Sequence, residues 1–198
     1  MSGPAEIYAP AEATDEVRAL LRQPADEVGT WLGRGEYSTA YRVTRPGAAY
    51  VLKETHPDLD ISEYEFEHRC GFTALTLNIA LELGLSRIDE AARTLPNGAR
   101  LTTPHYYGAY INPGSFARIL MSYEPGDPVY AGDPRAGTHG ERREIFDRAL
   151  DSVGMVPPRF GIYDDIPSEN ETNLFARHSG PQNAPEIVMI DACNLIDF

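Results

Sequence analysis

A glycine pair followed by a lysine on an apolar run is the first chemical hint in this chain. Gly33 and Gly35 lie in Trp31-Leu-Gly-Arg-Gly-Glu-Tyr-Ser-Thr-Ala-Tyr-Arg-Val43, and Lys53 lies in Tyr50-Val-Leu-Lys-Glu54. Glycine carries no side chain to keep a backbone away from a polyphosphate. Free N–H groups in such a loop can cradle phosphate oxygens. Lys53 would then be a cation held beside them on a rigid strand. A strand, a glycine loop, a second strand, a turn at Pro46-Gly47 and a third strand would hold these groups in place.

The elements around this stretch follow from periodicity and punctuation. Residues 1–13 are rich in Ala, Pro and Glu and read as a flexible leader. Thr14 can cap a short helix from Asp15 to Arg22, with Val17, Leu20 and Leu21 on one face and Pro24 beyond its end. A long helix is expected from Ser62 to about Leu85, because Phe66, Cys70, Leu77 and Leu81 fall near one stripe; Gly84 is expected to end it. Pro96-Asn97-Gly98 marks a turn. Leu101 to Ile111 and Phe116 to Tyr123 read as two further strands joined at Asn112-Pro-Gly114. Val129 to Gly140 reads as loop, and Glu141 to Val153 as an amphipathic helix closed by Gly154.

The order of these features resembles the protein-kinase fold. The kinase pattern is G-x-G-x-x-G-x-V followed by V-A-I-K. Here it reads Gly33-Arg-Gly35-Glu-Tyr37-Ser38-Thr-Ala40, then Tyr50-Val51-Leu52-Lys53. Ser38 stands for the third glycine and Ala40 for the valine that covers the adenine. Ile119-Leu-Met-Ser-Tyr-Glu-Pro-Gly-Asp127 resembles a kinase hinge. By that resemblance Met121 is the gatekeeper, and Ser122 and Tyr123 offer backbone groups to the adenine edge. A helix glutamate should pair with Lys53; Glu63, Glu65 and Glu67 are near the expected place, with Glu67 preferred. The resemblance implies an α+β, two-lobed fold: a five-stranded antiparallel N-lobe sheet with one long helix over 14–122, and a strongly reduced helical C-lobe over 123–198.

Catalytic roles follow from the same resemblance. Tyr163-Asp164-Asp165-Ile166 looks like the H-R-D-L of the kinase catalytic loop with His and Arg replaced, so Asp165 takes the place of the base, with Asp164 a weaker alternative. The magnesium-binding asparagine is either Asn173, which precedes the apolar Leu174-Phe175-Ala176, or Asn170, which has the kinase spacing. Ile187-Val-Met-Ile-Asp191 resembles the strand before D-F-G, which makes Asp191 a second metal ligand. Phosphoryl transfer needs mainly positioning, charge neutralisation and a base. The implied cofactors are ATP and Mg²⁺. The implied nucleotide contacts are Gly33, Gly35, Ser38, Val51, Lys53, Glu67, Met121 and Tyr123.

Few residues follow Asp191, so the resemblance is to minimal, atypical kinases such as compact bacterial effector kinases. Aminoglycoside-type phosphotransferases are more distant. The expected activity is transfer of the γ-phosphate of ATP to a hydroxyl of a protein substrate. The alternatives are a pseudokinase-like nucleotide-binding module, and a small-molecule phosphotransferase or AMP transferase on the same fold. Composition narrows the partners. The formal net charge of -13 and the lack of a Lys/Arg cluster argue against nucleic acid and anionic membrane. Cys70 and Cys193 have no zinc-type spacing and suit reduced thiols in a cytosol. No secretory signal is visible at the start, and a cytoplasmic setting is expected, including a host cytosol if the chain is a delivered effector.

Overall fold

The computed structural model describes residues 4–11, 13–129, 132–155, 174–178 and 185–190. In chain order its elements are β1 (Glu6–Tyr8), α1 (Asp15–Arg22), α2 (Ala25–Val28), β2 (Thr30–Arg34), β3 (Ser38–Arg45), β4 (Ala48–Thr55), α3 (Glu63–Arg69), α4 (Phe72–Arg87), β5 (Arg100–Thr102), β6 (Tyr106–Asn112), β7 (Phe116–Ser122), β8 (Asp127–Pro128), α5 (His139–Ser152), β9 (Leu174–His178) and β10 (Pro185–Met189). Single 3-10 turns lie at Glu90–Arg93 and Pro134–Ala136. The protein is a mixed α+β chain in which antiparallel strand pairs predominate. It divides into two compact units. The first takes the described residues up to Thr76 together with His105–Tyr123; the second takes Leu77–Pro104 and the described residues from Glu124 onward.

The first unit is built on a sheet with strand order β1-β6-β7-β4-β3-β2. All its pairings are antiparallel. Side chains alternate across a strand, and β4 divides its residues accordingly. Tyr50 and Leu52 turn to one face, where they pack with Val43 and Leu120 against Val17, Leu20 and Leu21 of α1. Fully burying each of these leucines stabilises the fold by roughly 2 kcal/mol. Val51 and Lys53 therefore turn to the other face. On that face Ala109, Ile111 and Ala117 pack against Phe66, Cys70 and Leu75 of the helical segment. Thr14 caps α1 by accepting from the Val17 N–H. Arg118 fastens the end of that helix to the sheet: its guanidinium pairs with Glu54 and donates to the Arg22 carbonyl at 3.1 Å.

The second unit holds a four-stranded sheet of order β5-β10-β9-β8. β10 runs parallel to β5 and antiparallel to β9. Leu81, Leu85, Leu101, Phe146, Leu150, Leu174 and Ile187 form its core. α5 starts in a capping box: the Thr138 hydroxyl accepts from the Glu141 N–H, and the Glu141 carboxylate accepts from the Thr138 N–H. Glu186, on β10, is buried between Arg100 and Arg177 on the flanking strands. Arg177 also reaches Glu124.

Several expectations change. The single helix from Ser62 to Leu85 is two helices, broken at Cys70 and Gly71. The N–H groups of both break residues converge on the Phe66 carbonyl. A Cβ at Gly71 would lie 2.8 Å from the Glu67 Cα and 3.0 Å from its carbonyl oxygen, backbone atoms with little room to yield, so the break favours a glycine. Gly84 does not end α4; it lies inside it, against the Ala149 carbonyl of α5. The strand expected from Leu101 to Ile111 is split at Pro104 between the two sheets, since proline has no N–H to continue a ladder. The sheet expected to have five strands has six, because Glu6–Tyr8, expected in the flexible leader, pairs with β6. Residues 77–104, expected in the first lobe, group with the second unit. Among the described residues that unit carries a four-stranded sheet beside α5 and most of α4.

Candidate functional site

The glycine loop is the connection between β2 and β3. Its turn is closed by the Gly35 N–H, which donates to the Ser38 carbonyl at 2.8 Å. A Cβ placed on Gly33 would meet nothing within 4 Å, and one on Gly35 would meet only the Ser38 carbonyl, at 3.7 Å. Space therefore lies beside both glycines, with the Gly35 N–H already engaged in the turn.

Register then places the lysine. Gly33 pairs with Ala40, Ala40 with Lys53, and Lys53 with Ile119. Cross-strand partners share a face of the sheet, so Gly33 and Lys53 stand in one row. The next row holds Arg42, Val51 and Met121. Ser38 pairs with Thr55, two residues beyond Lys53 on the same face. The structure therefore brings Gly33, Ser38, Val51, Lys53 and Met121 onto one face of the first unit, with Gly35 in the adjoining turn. Lys53 is also the chain's only lysine, against sixteen arginines. That signal was present in the sequence, and motif reading passed over it.

Glu67, Ser122 and Tyr123 have partners within the first unit. The Glu67 carboxylate accepts from the Thr73 N–H at 3.1 Å and from the Thr73 hydroxyl at 3.4 Å, so it caps the start of α4. Glu65 pairs with Arg69 one turn on, at 3.2 Å. The Tyr123 N–H donates to the Ala49 carbonyl at 3.1 Å, and the Ser122 N–H to the His105 carbonyl at 2.8 Å. The Arg42 guanidinium lies over the Tyr123 ring, 4.3 Å from its centroid.

The loop tip is tethered by residues that no motif pointed to. The Tyr37 carbonyl accepts from the N–H of His56, at 3.0 Å. Its ring packs on the cluster around Phe66 and Cys70, with the Arg69 guanidinium 5.0 Å from its centroid. Burial, first, and the neighbouring Glu36 carboxylate raise the Tyr37 hydroxyl above its usual pKa, against Arg69, which lowers it.

Asp165, Asn170, Asn173 and Asp191, with Asp164, lie outside the described residues. Among the described residues no group of three or more His, Cys, Asp or Glu gathers to hold a metal ion. None of the described helices is long and apolar enough to cross a membrane.

No protein-family model matches this chain, and no curated protein matches it. A solved structure described as WaaP in complex with acyl carrier protein is similar at 9% identity and a TM-score of 0.48, over 98% of this chain and 72% of that one. At that level of similarity, the residues and register of this chain are what bear on its function.

Proposed function

We propose that the protein is an ATP- and Mg²⁺-dependent phosphotransferase of the kinase-like type, transferring the γ-phosphate to a hydroxyl of a protein substrate. The observation that carries this reading is the place of its only lysine. Arginine fills every other basic position apart from histidine, yet the position one row-mate away from Gly33 is lysine. An ammonium is a compact point charge, whereas a guanidinium is a wide planar fork. A site that must hold one phosphate oxygen beside an open glycine backbone favours the former.

In this reading Gly33, Gly35 and Ser38 border the phosphates and Val51 and Met121 border the base. Lys53 neutralises the α- and β-phosphates. Asp165 accepts the proton of the attacking hydroxyl. Asp191 with Asn173 or Asn170 holds the metal, whose chemistry is to neutralise charge on the transferring phosphoryl group. The order of β2, β3, β4, β7 and β6 in the first unit's sheet supports it, as does the helical segment on the Lys53 face. Tyr163-Asp164 in place of the usual His-Arg favours a second reading, a nucleotide-binding module without turnover.

The unique lysine makes the test direct. An adenosine analogue with an amine-reactive group in the phosphate position should label Lys53, as read by peptide mass spectrometry, and excess Mg·ATP should prevent it. Incubation with γ-labelled ATP, Mg²⁺ and a cell lysate should transfer label, and Lys53→Arg should abolish the transfer. Protection without transfer would favour the binding module. Labelling of Lys53 that ATP does not compete would overturn both readings.

A further inference from the structure

Loop glycines alone do not fix a loop; they widen its conformational range. The base of this loop is closed by strand pairing at Gly33 and by the Gly35 N–H, and its tip is held by separate contacts. Tyr37 is tied at its carbonyl by His56, whose own side chain is buried, and at its ring by the apolar cluster of α3. Arg69 closes the arrangement from above the ring. The ion pair with Glu65, one turn earlier on the same helix, orients the Arg69 guanidinium. Arg69 is therefore the cationic link between the loop tip and α3.

We propose that Arg69 is a positioning residue for the nucleotide: by holding the Tyr37 ring against α3, it keeps the glycine loop in its binding form and so sets nucleotide affinity. This rests on the nucleotide reading given above. A loop ordered before binding loses less entropy when the ligand arrives. A guanidinium over an aromatic ring supplies an attraction that strengthens as water is excluded. Coupling is reciprocal, so a nucleotide on the loop should in turn steady α3.

The test compares Arg69→Ala, Arg69→Lys, Tyr37→Phe, Tyr37→Ala and the Arg69→Ala/Tyr37→Ala pair by calorimetric titration with Mg·ATP. Arg69→Ala should weaken Kd about fivefold, Tyr37→Phe should bind as wild type does, and Arg69→Lys should fall between. The double variant should be no weaker than Tyr37→Ala, because each change breaks the same link. Without nucleotide, amide exchange at residues 35–38 should speed up in Arg69→Ala. In the wild type, Mg·ATP should slow exchange in α3, and in Arg69→Ala it should not. A purely structural role would lower the melting temperature and leave Kd unchanged. If the wild type binds Mg·ATP and Arg69→Ala binds it equally well, the positioning role falls and the nucleotide reading stands. Wild type that binds no Mg·ATP overturns both.

Discussion

The carboxylate of Glu67 accepts from the backbone N–H of Thr73, across the break between α3 and α4. The first N–H groups of a helix have no partner within it, and here a residue of the preceding helix supplies one. Removing such a cap costs about 1 kcal/mol. Glu67→Ala should therefore lower the unfolding free energy measured in urea by about 1 kcal/mol. Glu67→Gln keeps an acceptor for Thr73 and should be close to wild type in stability. Measured beside phosphotransfer, the Gln variant separates two roles: stable and active means the glutamate is a cap only, whereas stable and inactive means its charge also serves Lys53.

Arg118 and Glu54 form a directly opposed cross-strand pair, with the Arg118 side chain nearly buried. Arg118 also satisfies the carbonyl at the end of α1, and Glu54 accepts from the Ala25 N–H at 3.4 Å. Removing one partner of a buried pair leaves the other charged and unmatched, at a cost of about 3 kcal/mol. Arg118→Ala should show this loss in urea unfolding. Arg118→Met, which restores packing but not charge, should be nearly as damaging; a loss below about 1 kcal/mol in both would mean the pair behaves as a solvated one.

Gly84 offers a test of packing against propensity. Replacing a mid-helix glycine with alanine ordinarily stabilises by about 1 kcal/mol. Here the new Cβ would lie 2.2 Å from the Ala149 carbonyl oxygen, a backbone atom with little room to yield. Forcing α4 and α5 apart in the second unit costs about 1–3 kcal/mol, so Gly84→Ala should be net destabilising. A raised melting temperature would show that the two helices are not held at that distance.

Low pH should weaken the start of α5. Hydrogen bonds from the Thr138 backbone, then its side chain, hold the Glu141 carboxyl below its ordinary value of 4.5. The Arg135 side chain does the same for Asp133, below 3.8. Both folded values are depressed, so each group contributes stability that is present above the unfolded pKa and lost as pH falls through the folded one. Melting temperatures of wild type and Glu141→Gln should differ at pH 7 and converge as pH falls below the depressed folded pKa of Glu141. A gap that stays constant across that range would assign the difference to something other than ionisation.

Local features determined much of this architecture. Thr14 announces α1 because capping is settled within a few residues; α5 was expected from Glu141, whereas its Thr138 cap starts it at His139. The Pro46-Gly47 turn and the alternation along β4 announce the hairpin and place Val51 and Lys53 on one face, since strand periodicity needs no distant partner. The glycine pair and the lysine were legible in the sequence for the same reason, whereas Met121 was named only through the resemblance to a kinase hinge. Only the tertiary structure decided the rest. Arg100 pairs with Glu186 and Glu6 with Ile111, and pairings between such distant segments leave no mark in a short window, so the split at Pro104 and the recruitment of β1 could not be read. The helix break at Gly71 and the continuation through Gly84 depend on what a Cβ would strike. The tether from Arg69 to Tyr37 joins residues on different elements. In each case a short-range pattern allowed more than one outcome, and contacts formed across the chain chose between them.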